Sequence, residues 1–220
     1  MSNAPEMTDT RDMKWVHDAF RRALADAPGQ IASVEDGDTE GARNLASYLG
    51  EVLWLLHAHH DGEDELLYPL LAERVPGSKD LFSQMEAQHA AVALRIEGAQ
   101  EAAERFGKSG STEDGEALAS ACRSLLDEVA GHLTEEEEEV VPIASRTVTA
   151  EEWGALPAHV LSHYSGSRLW LPLGLATEMF PDDMRAQVFV HVPPPVSEMW
   201  FGFGSDAFTK EMATIRGTGS

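Results

Sequence analysis

Apolar residues recur with a helical period along most of the chain, and strand-like alternation is weak throughout. This pattern predicts four long helices, over about 9–28, 38–74, 78–106 and 111–146. Long helices joined by short connections are typical of an up-down-up-down four-helix bundle. The predicted fold class is therefore all-α.

The predicted helix boundaries rest on residues that cap or break helices. Asp9 or Thr10 caps the first helix, and the segment APGQ at 27–30 is expected to end it. The segment PGS at 76–78 separates the second helix from the third, and GKSGS at 107–111 separates the third from the fourth.

The last third of the chain has a different pattern. It opens with TAEE at 149–152, which has the form of a capping box, and continues in shorter apolar segments rich in proline and tryptophan. We predict three or four short helices here, with a break at PPP, 193–195. The chain then divides into a bundle over 9–147 and a C-terminal helical extension over 148–220 that packs on it.

Composition limits the classes of function. A net charge of −22 disfavours nucleic acid and anionic membrane as partners. The single cysteine, Cys122, excludes a disulfide framework within this sequence. The first residues lack a basic and an apolar region of the kind found in signal peptides, and the most apolar stretch, 169–176, is too short to span a bilayer. We therefore expect a cytoplasmic protein.

A twofold repeat carries the candidate chemistry. The segments HHDGEDELLYP at 59–69 and HLTEEEEEVVP at 132–142 each have a leading histidine, a glutamate four residues later and a proline at the end. The segments MKWVH at 13–17 and MEAQH at 85–89 repeat at nearly the same separation. Each half of the chain thus has Met-x-x-x-His on one helix and His-x-x-x-Glu on the next, with a proline expected to end or kink the helix.

The spacing gives this repeat a meaning for metal binding. Residues four apart on a helix share a face, so an imidazole and a carboxylate can point to one place. Two histidines with one carboxylate form a ligand set typical of non-haem iron with open positions, although manganese or zinc would also be accepted. Of the glutamate run at 135–139, only one member is expected to face inward. The six candidate metal ligands are His17, His59, Glu63, His89, His132 and Glu136.

A bundle without metal is the alternative for these six residues. It would leave six polar groups facing the core with no cation, which is costly. Any one of the histidines, taken alone, is more often a surface or hydrogen-bonded core residue. The repetition of the whole pattern is what favours the metal site.

The order His, His-x-x-x-Glu, His, His-x-x-x-Glu, followed by LLYP and VVP, resembles the hemerythrin-like, or HHE cation-binding, family over about residues 10–146. The resemblance implies a four-helix bundle that holds two non-haem iron ions, bridged by an oxo or hydroxo group and by the carboxylates of Glu63 and Glu136. It implies one iron on the first three ligands in chain order and the other iron on the last three.

One departure from the oxygen-carrying hemerythrins affects the expected function. Those proteins have a second histidine four residues after the first on the third helix, where this chain has Ala93. We therefore expect a more open and symmetric centre, which binds or reacts with oxygen, peroxide or nitric oxide rather than simply carrying oxygen. The alternatives are an iron, oxygen or redox sensor that acts through a partner protein, and an oxidase or oxygenase of an organic substrate.

Several further residues near the motifs have two interpretations. His57 is expected to face solvent or an interface, and His60 is only a lesser candidate for contact with the metals. His163 and Tyr164 in the extension are expected on the surface, with metal ligation as the lesser alternative. Gly62 either leaves room beside the metal or is merely tolerated within the helix.

Overall fold

The computed structural model describes residues 7–217, except the side chains of residues 187, 188, 190 and 191. Every regular element in this part of the chain is helical and none is a strand, which confirms the all-α fold class. The α-helices are α1 (Arg11–Ala32), α2 (Thr39–Gly62), α3 (Tyr68–Arg74), α4 (Lys79–Ser109), α5 (Thr112–Glu135), α6 (Val141–Thr147), α7 (Ala150–Ser162), α8 (Trp170–Thr177), α9 (Asp182–His191), α10 (Pro194–Met199) and α11 (Ser205–Ile215).

Two π-helical turns sit inside the long helical segments, over Glu63–Leu67 and Glu136–Val140. Each begins at a candidate glutamate ligand, and the backbone N–H that follows the turn donates to that glutamate's carbonyl, five residues back. Helices α2 and α3 are thereby continuous, as are α5 and α6, in agreement with the predicted segments 38–74 and 111–146. π-Turns of this kind occur frequently at functional sites.

The prolines at the end of the two motifs do not end their helices. Pro69 and Pro142 directly follow the π-turns, as the second residue of α3 and of α6. The prediction that APGQ ends the first helix is wrong, because α1 continues through Pro28 to Ala32. Ile31 in its last turn is buried, so packing outweighs the breaking effect of the proline.

The four longest helices in the described region, α1, α2, α4 and α5, have 22, 24, 31 and 24 residues and pack against one another. The closest neighbours are α2 with α4, α1 with α5, and α4 with α5. Apolar residues of these helices and of the elements packed on them form two clusters. Phe20 and Val92 belong to one cluster, and Met13 and Met85 belong to the other. A polar layer lies between these clusters, because His17 and His89 fall between the two members on each helix.

The helices after residue 149 cover one side of α1 and α2. Helix α7 contacts α2, and α8 contacts both α1 and α2. The predicted capping box is present, since the Thr149 hydroxyl accepts from the Glu152 backbone N–H and the Glu152 side chain accepts from that of Thr149. The predicted break at 193–195 coincides with the start of α10, since Pro193 precedes this helix and the other two prolines occupy its first turn. Residues 218–220 of the predicted extension lie outside the described residues.

No helix in the described part of the chain combines the length and the apolar character needed to cross a membrane.

Candidate metal centre

The structure brings the six predicted ligands into one buried layer. They come from four long helical segments: His17 from α1, His59 from α2 and Glu63 from the π-turn after it, His89 from α4, and His132 from α5 and Glu136 from the π-turn after it. His59 is partly exposed and the other five are buried. The repeated motif explains why these side chains meet, because each His-x-x-x-Glu places its histidine and its glutamate on the inner face of the helix.

The four imidazoles meet in two pairs. His17 Nε2 lies 3.1 Å from His59 Nε2, and His89 Nε2 lies 3.0 Å from His132 Nε2. Two imidazoles bound to one ion at about 2.1 Å and at a right angle would have their nitrogens about 3.0 Å apart. Each pair therefore has the spacing that a shared ion requires.

The two carboxylates lie between these pairs. Glu63 has one oxygen 3.2 Å from His59 Nε2 and the other 3.6 Å from His89 Nε2. A single oxygen of Glu136, Oε2, lies 3.4 Å from His17 Nε2 and 4.0 Å from His132 Nε2. Each glutamate thus reaches both histidine pairs, which is the placement that a bridging carboxylate needs.

The polar layer lacks compensation for its buried charge. Both oxygens of Glu63 and Oε2 of Glu136 have no hydrogen-bond partner among the described residues. Burial and the neighbouring Glu136 raise the pKa of Glu63 well above its usual range. Burial also lowers the pKa of His59 well below its ordinary value, so the close approach of His59 to Glu63 is not a salt bridge without a cation. A multivalent cation would offset this desolvation, and the residues therefore fit a metal pair.

A seventh residue, His60, joins the layer. Its side chain is buried, and its Nε2 has no hydrogen-bond partner among the described residues. One ligand atom from each of His60, His89 and His132 lies within 4.8 Å of the others. Burial lowers the pKa of His60 well below its ordinary value and the pKa of His132 to about 3, so both imidazoles are neutral and able to bind a metal.

The two groups of candidate ligands differ in their donor atoms, which does not favour the symmetric centre expected from the sequence. The first group is a mixed set of two imidazoles and two carboxylates, and the second group consists of three imidazoles. His60 of α2 adds a third histidine to the second group, although α4 has Ala93 at the position where the oxygen carriers have their additional histidine. The members of the first group are His17, His59, Glu63 and Glu136, and those of the second group are His60, His89 and His132.

Three of the ligand histidines are held by hydrogen bonds at their outer nitrogen. In each case Nδ1 contacts a side-chain oxygen at 2.8 or 3.0 Å, so that Nε2 is directed to the centre. Partners of this kind fix the tautomer and the ring orientation of metal-binding histidines. The pairs are His17 with Glu137, His89 with Asp64, and His132 with Gln88.

The glutamate run at 135–139 contributes more than the single inward carboxylate that was predicted. Glu137 accepts from His17 and, at 2.6 Å, from Arg21. Burial alone would raise the pKa of Glu137, but these hydrogen bonds outweigh it and lower the pKa to about 2. Glu135 accepts from the amide of Gln88 and thereby turns the Gln88 carbonyl oxygen towards His132. Only the members at 138 and 139 are exposed.

Tyr68 is the hydrogen-bond donor nearest to the carboxylates. Its hydroxyl donates to Glu136 Oε1 at 3.0 Å, and its ring stacks on His89 with centroids 5.6 Å apart. Burial and the two nearby glutamates raise the pKa of Tyr68, so the hydroxyl retains its proton. The sequence contained a signal for this residue, since it precedes the proline of the first motif.

The remaining candidates lie away from the ligands. His57 is exposed beside Asp61, and His163 is exposed at the end of α7. Tyr164 donates to Glu51 at 3.0 Å. A Cβ added to Gly62 would meet α7 at ordinary contact distances, and this glycine lines the same cavity as His59 and Glu63.

Comparison with known proteins gives one match. The model of a protein family described as the hemerythrin HHE cation binding domain matches residues 8–144, which is more than half of the chain. The matched segment contains all six predicted ligands and His60, and it ends within α6, so that α7 to α11 lie outside it. Neither the curated proteins nor the solved structures gave a match.

Proposed function

Because the chain belongs to the hemerythrin HHE cation-binding family, we propose that it holds two non-haem iron ions and uses them to bind or react with oxygen, peroxide or nitric oxide. The observation that carries this proposal is the position of Glu63 and Glu136, two buried carboxylates with unpaired oxygens between two pairs of imidazoles. We propose further that α1, α2–α3, α4 and α5–α6 form an up-down-up-down bundle around this centre, with α7 to α11 as its extension.

The residues divide between the two ions by proximity. His17 and His59 would hold one ion, and His89 and His132, together with His60, would hold the other. The carboxylates of Glu63 and Glu136 would bridge the two ions, as in other bundle di-iron proteins. The mixed nitrogen and oxygen donors support iron, although manganese or zinc would also be accepted.

Two iron ions in this position would supply one-electron redox chemistry and coordination positions for a small ligand. The chain itself orients the imidazoles through their Nδ1 partners and excludes bulk water by burying the layer between two apolar clusters. Tyr68 holds a proton at its hydroxyl oxygen, directed at Glu136. This proton is available beside a bridging position and would stabilise negative charge there.

Metal analysis combined with visible spectroscopy tests the proposal. Purified protein should contain about two irons per chain, with charge-transfer bands that bleach on reduction. The form of their return in air separates reversible oxygen binding from oxidation. Glu136→Gln should lose most of the iron, whereas Glu138→Gln, the same change at an exposed position of the same run, should retain it. Wild-type protein that binds no iron, or only zinc, would overturn the redox function.

A second candidate function has one observation in its favour. An apolar cavity between α1, α2 and the extension reaches His59 and Glu63. We propose an oxidase or oxygenase that acts on an organic substrate as this second function.

A further inference from the structure

The cavity beside the centre has a volume of about 110 Å³. The bundle side of its wall comes from α1 and α2, and the opposite side comes from α7, α8 and the segment between α8 and α9. It therefore exists only because the extension packs on the long helices. Characteristic wall residues are Val16, Leu55, Leu156, Val160, Ala176 and Phe180.

The cavity touches the proposed metal ligands on one side only. His59 and Glu63 line it, whereas His89, His132 and His60 do not. Glu63 Oε1, the oxygen on the His59 side, has no hydrogen-bond partner among the described residues. A molecule in the cavity would thus lie next to the half of the centre that has fewer imidazoles.

The size of the cavity exceeds the need of a diatomic ligand. A volume of about 10–15 Å³ holds one water molecule, and a cavity of about 150 Å³ lined by aliphatic and aromatic side chains binds benzene. A volume of about 110 Å³ therefore has room for several carbon atoms. Oxygen or peroxide alone would occupy only a small part of it.

The wall chemistry selects an uncharged occupant. Most lining side chains are apolar, and two of the polar ones are already engaged. Trp153 donates its indole N–H to Asp12 at 2.9 Å, and the Thr177 hydroxyl donates to the Leu173 carbonyl at 2.8 Å. An apolar wall penalises any ion that loses its hydration on entering the cavity.

We propose that this cavity is the binding site of a small, uncharged, apolar organic molecule, no larger than about benzene, which it holds beside His59 and Glu63 as the substrate of the centre. The substrate role rests on the proposed function, but the binding of the molecule does not. The extension would then serve as the part of the protein that determines which molecule reaches the metals.

A matched pair of probes tests the inference on the full chain. The probes are 1,1,1-trifluoropropane and its charged counterpart 3,3,3-trifluoropropionate, which are followed by fluorine nuclear magnetic resonance. Trifluoropropane should bind, and trifluoropropionate should bind at least tenfold more weakly. In the reduced iron-loaded protein the bound signal should be broadened by the unpaired electrons, compared with the zinc-loaded protein. Equal line widths in the two forms would place the bound probe away from the centre and overturn the inference.

Variants of the wall provide the controls. Ala176→Phe fills the cavity from α8 and should reduce trifluoropropane affinity at least tenfold, and Ala176→Val should reduce it by a smaller factor without a large disturbance of folding. Ala117→Phe makes the same change at an exposed position of α5 and should leave the affinity unchanged. Affinity that is unaffected by both changes at Ala176, or no binding to wild-type protein that contains two irons, would overturn the inference alone. Absence of iron would instead overturn the proposed function, while binding to the zinc-loaded chain would still test the cavity.

Discussion

The imidazole of His60 lies flat against that of His89, with ring centroids 4.1 Å apart and planes inclined by 10°. The two rings belong to different helices, α2 and α4, and His60 makes an edge contact with His132 at 5.0 Å as well. The stack places His60 beside the second pair of imidazoles, and His60 Nε2 has no hydrogen-bond partner among the described residues.

We expect His60→Phe to lower the iron content from about two ions per chain towards one, because the phenyl ring keeps the stack but offers no ligand atom. His57→Phe is the matched control, since it makes the same change on the exposed face of the same helix. Elemental analysis of both proteins after identical loading checks the prediction. Equal iron content in the two variants would mean that His60 only packs against His89.

Glu137→Gln should weaken metal binding by about 10–100-fold, because the residue that orients His17 through Nδ1 then loses its charge. Arg21, which donates to the same carboxylate oxygen, would lose its ion pair as well. Competition with a chelator of known affinity measures the change. Glu138→Gln, at the adjacent exposed position, should behave as wild type, and a similar loss in this control would point to the net charge of the run instead.

Asp12→Asn should stabilise the protein at neutral pH and have little effect in acid. Burial raises the pKa of Asp12 above its ordinary value of 3.8, although the hydrogen bond from Trp153 opposes the shift. The folded chain therefore retains a proton that the unfolded chain releases above pH 3.8, and wild-type stability is lost as the pH rises through the raised pKa.

Thermal unfolding at pH 4 and pH 7.5 measures this effect, with Asp127→Asn on the exposed surface of α5 as the control. The asparagine oxygen can still accept from Trp153, so the variant isolates the charge. A stabilisation by Asp12→Asn that is equal at both pH values would contradict the explanation.

Tyr68→Phe should reduce the free energy of unfolding of the metal-free protein by about 1–3 kcal/mol, because Glu136 Oε1 then loses its donor while remaining buried. Urea denaturation gives this difference directly. Tyr48→Phe changes a buried tyrosine of the same helical segment, about 16 Å along the helix from His59, and provides the comparison. Iron content should stay unchanged in both variants, and its loss in Tyr68→Phe would assign this residue a direct part in metal binding.

The long helices and six of the seven residues of the layer could be predicted because their signals are local. Caps such as Ser111, whose hydroxyl accepts from the Asp114 backbone N–H, mark helix ends in the sequence. The repeated His-x-x-x-Glu fixes which helix faces turn inward. The continuation of α1 through Pro28 could not be predicted, since it depends on the burial of Ile31 by residues distant in sequence.

His60 is the member of the layer whose place the repeated motif does not predict, for a geometric reason. His60 lies about 100° around the helix from His59, so the two side chains cannot both point to a single metal position. The layer is wide enough for neighbouring residues to face different positions within it, as the two groups of candidate ligands do. The apolar cavity could not be predicted either, because its walls come from the long helices and from the extension together.

The π-turns at Glu63 and Glu136 restrict which changes of chain length the protein can tolerate. Each turn contains one residue more than the α-helix would need, and the residues after it pack into the core, as Leu71 and Ala144 do. Deletion of one residue there would restore a regular helix and leave the faces of the following residues unchanged, whereas a further inserted residue would rotate everything that follows by about 100°. An insertion should therefore be accepted in the connection at 33–38 and disrupt the core at 63–68 and 136–141.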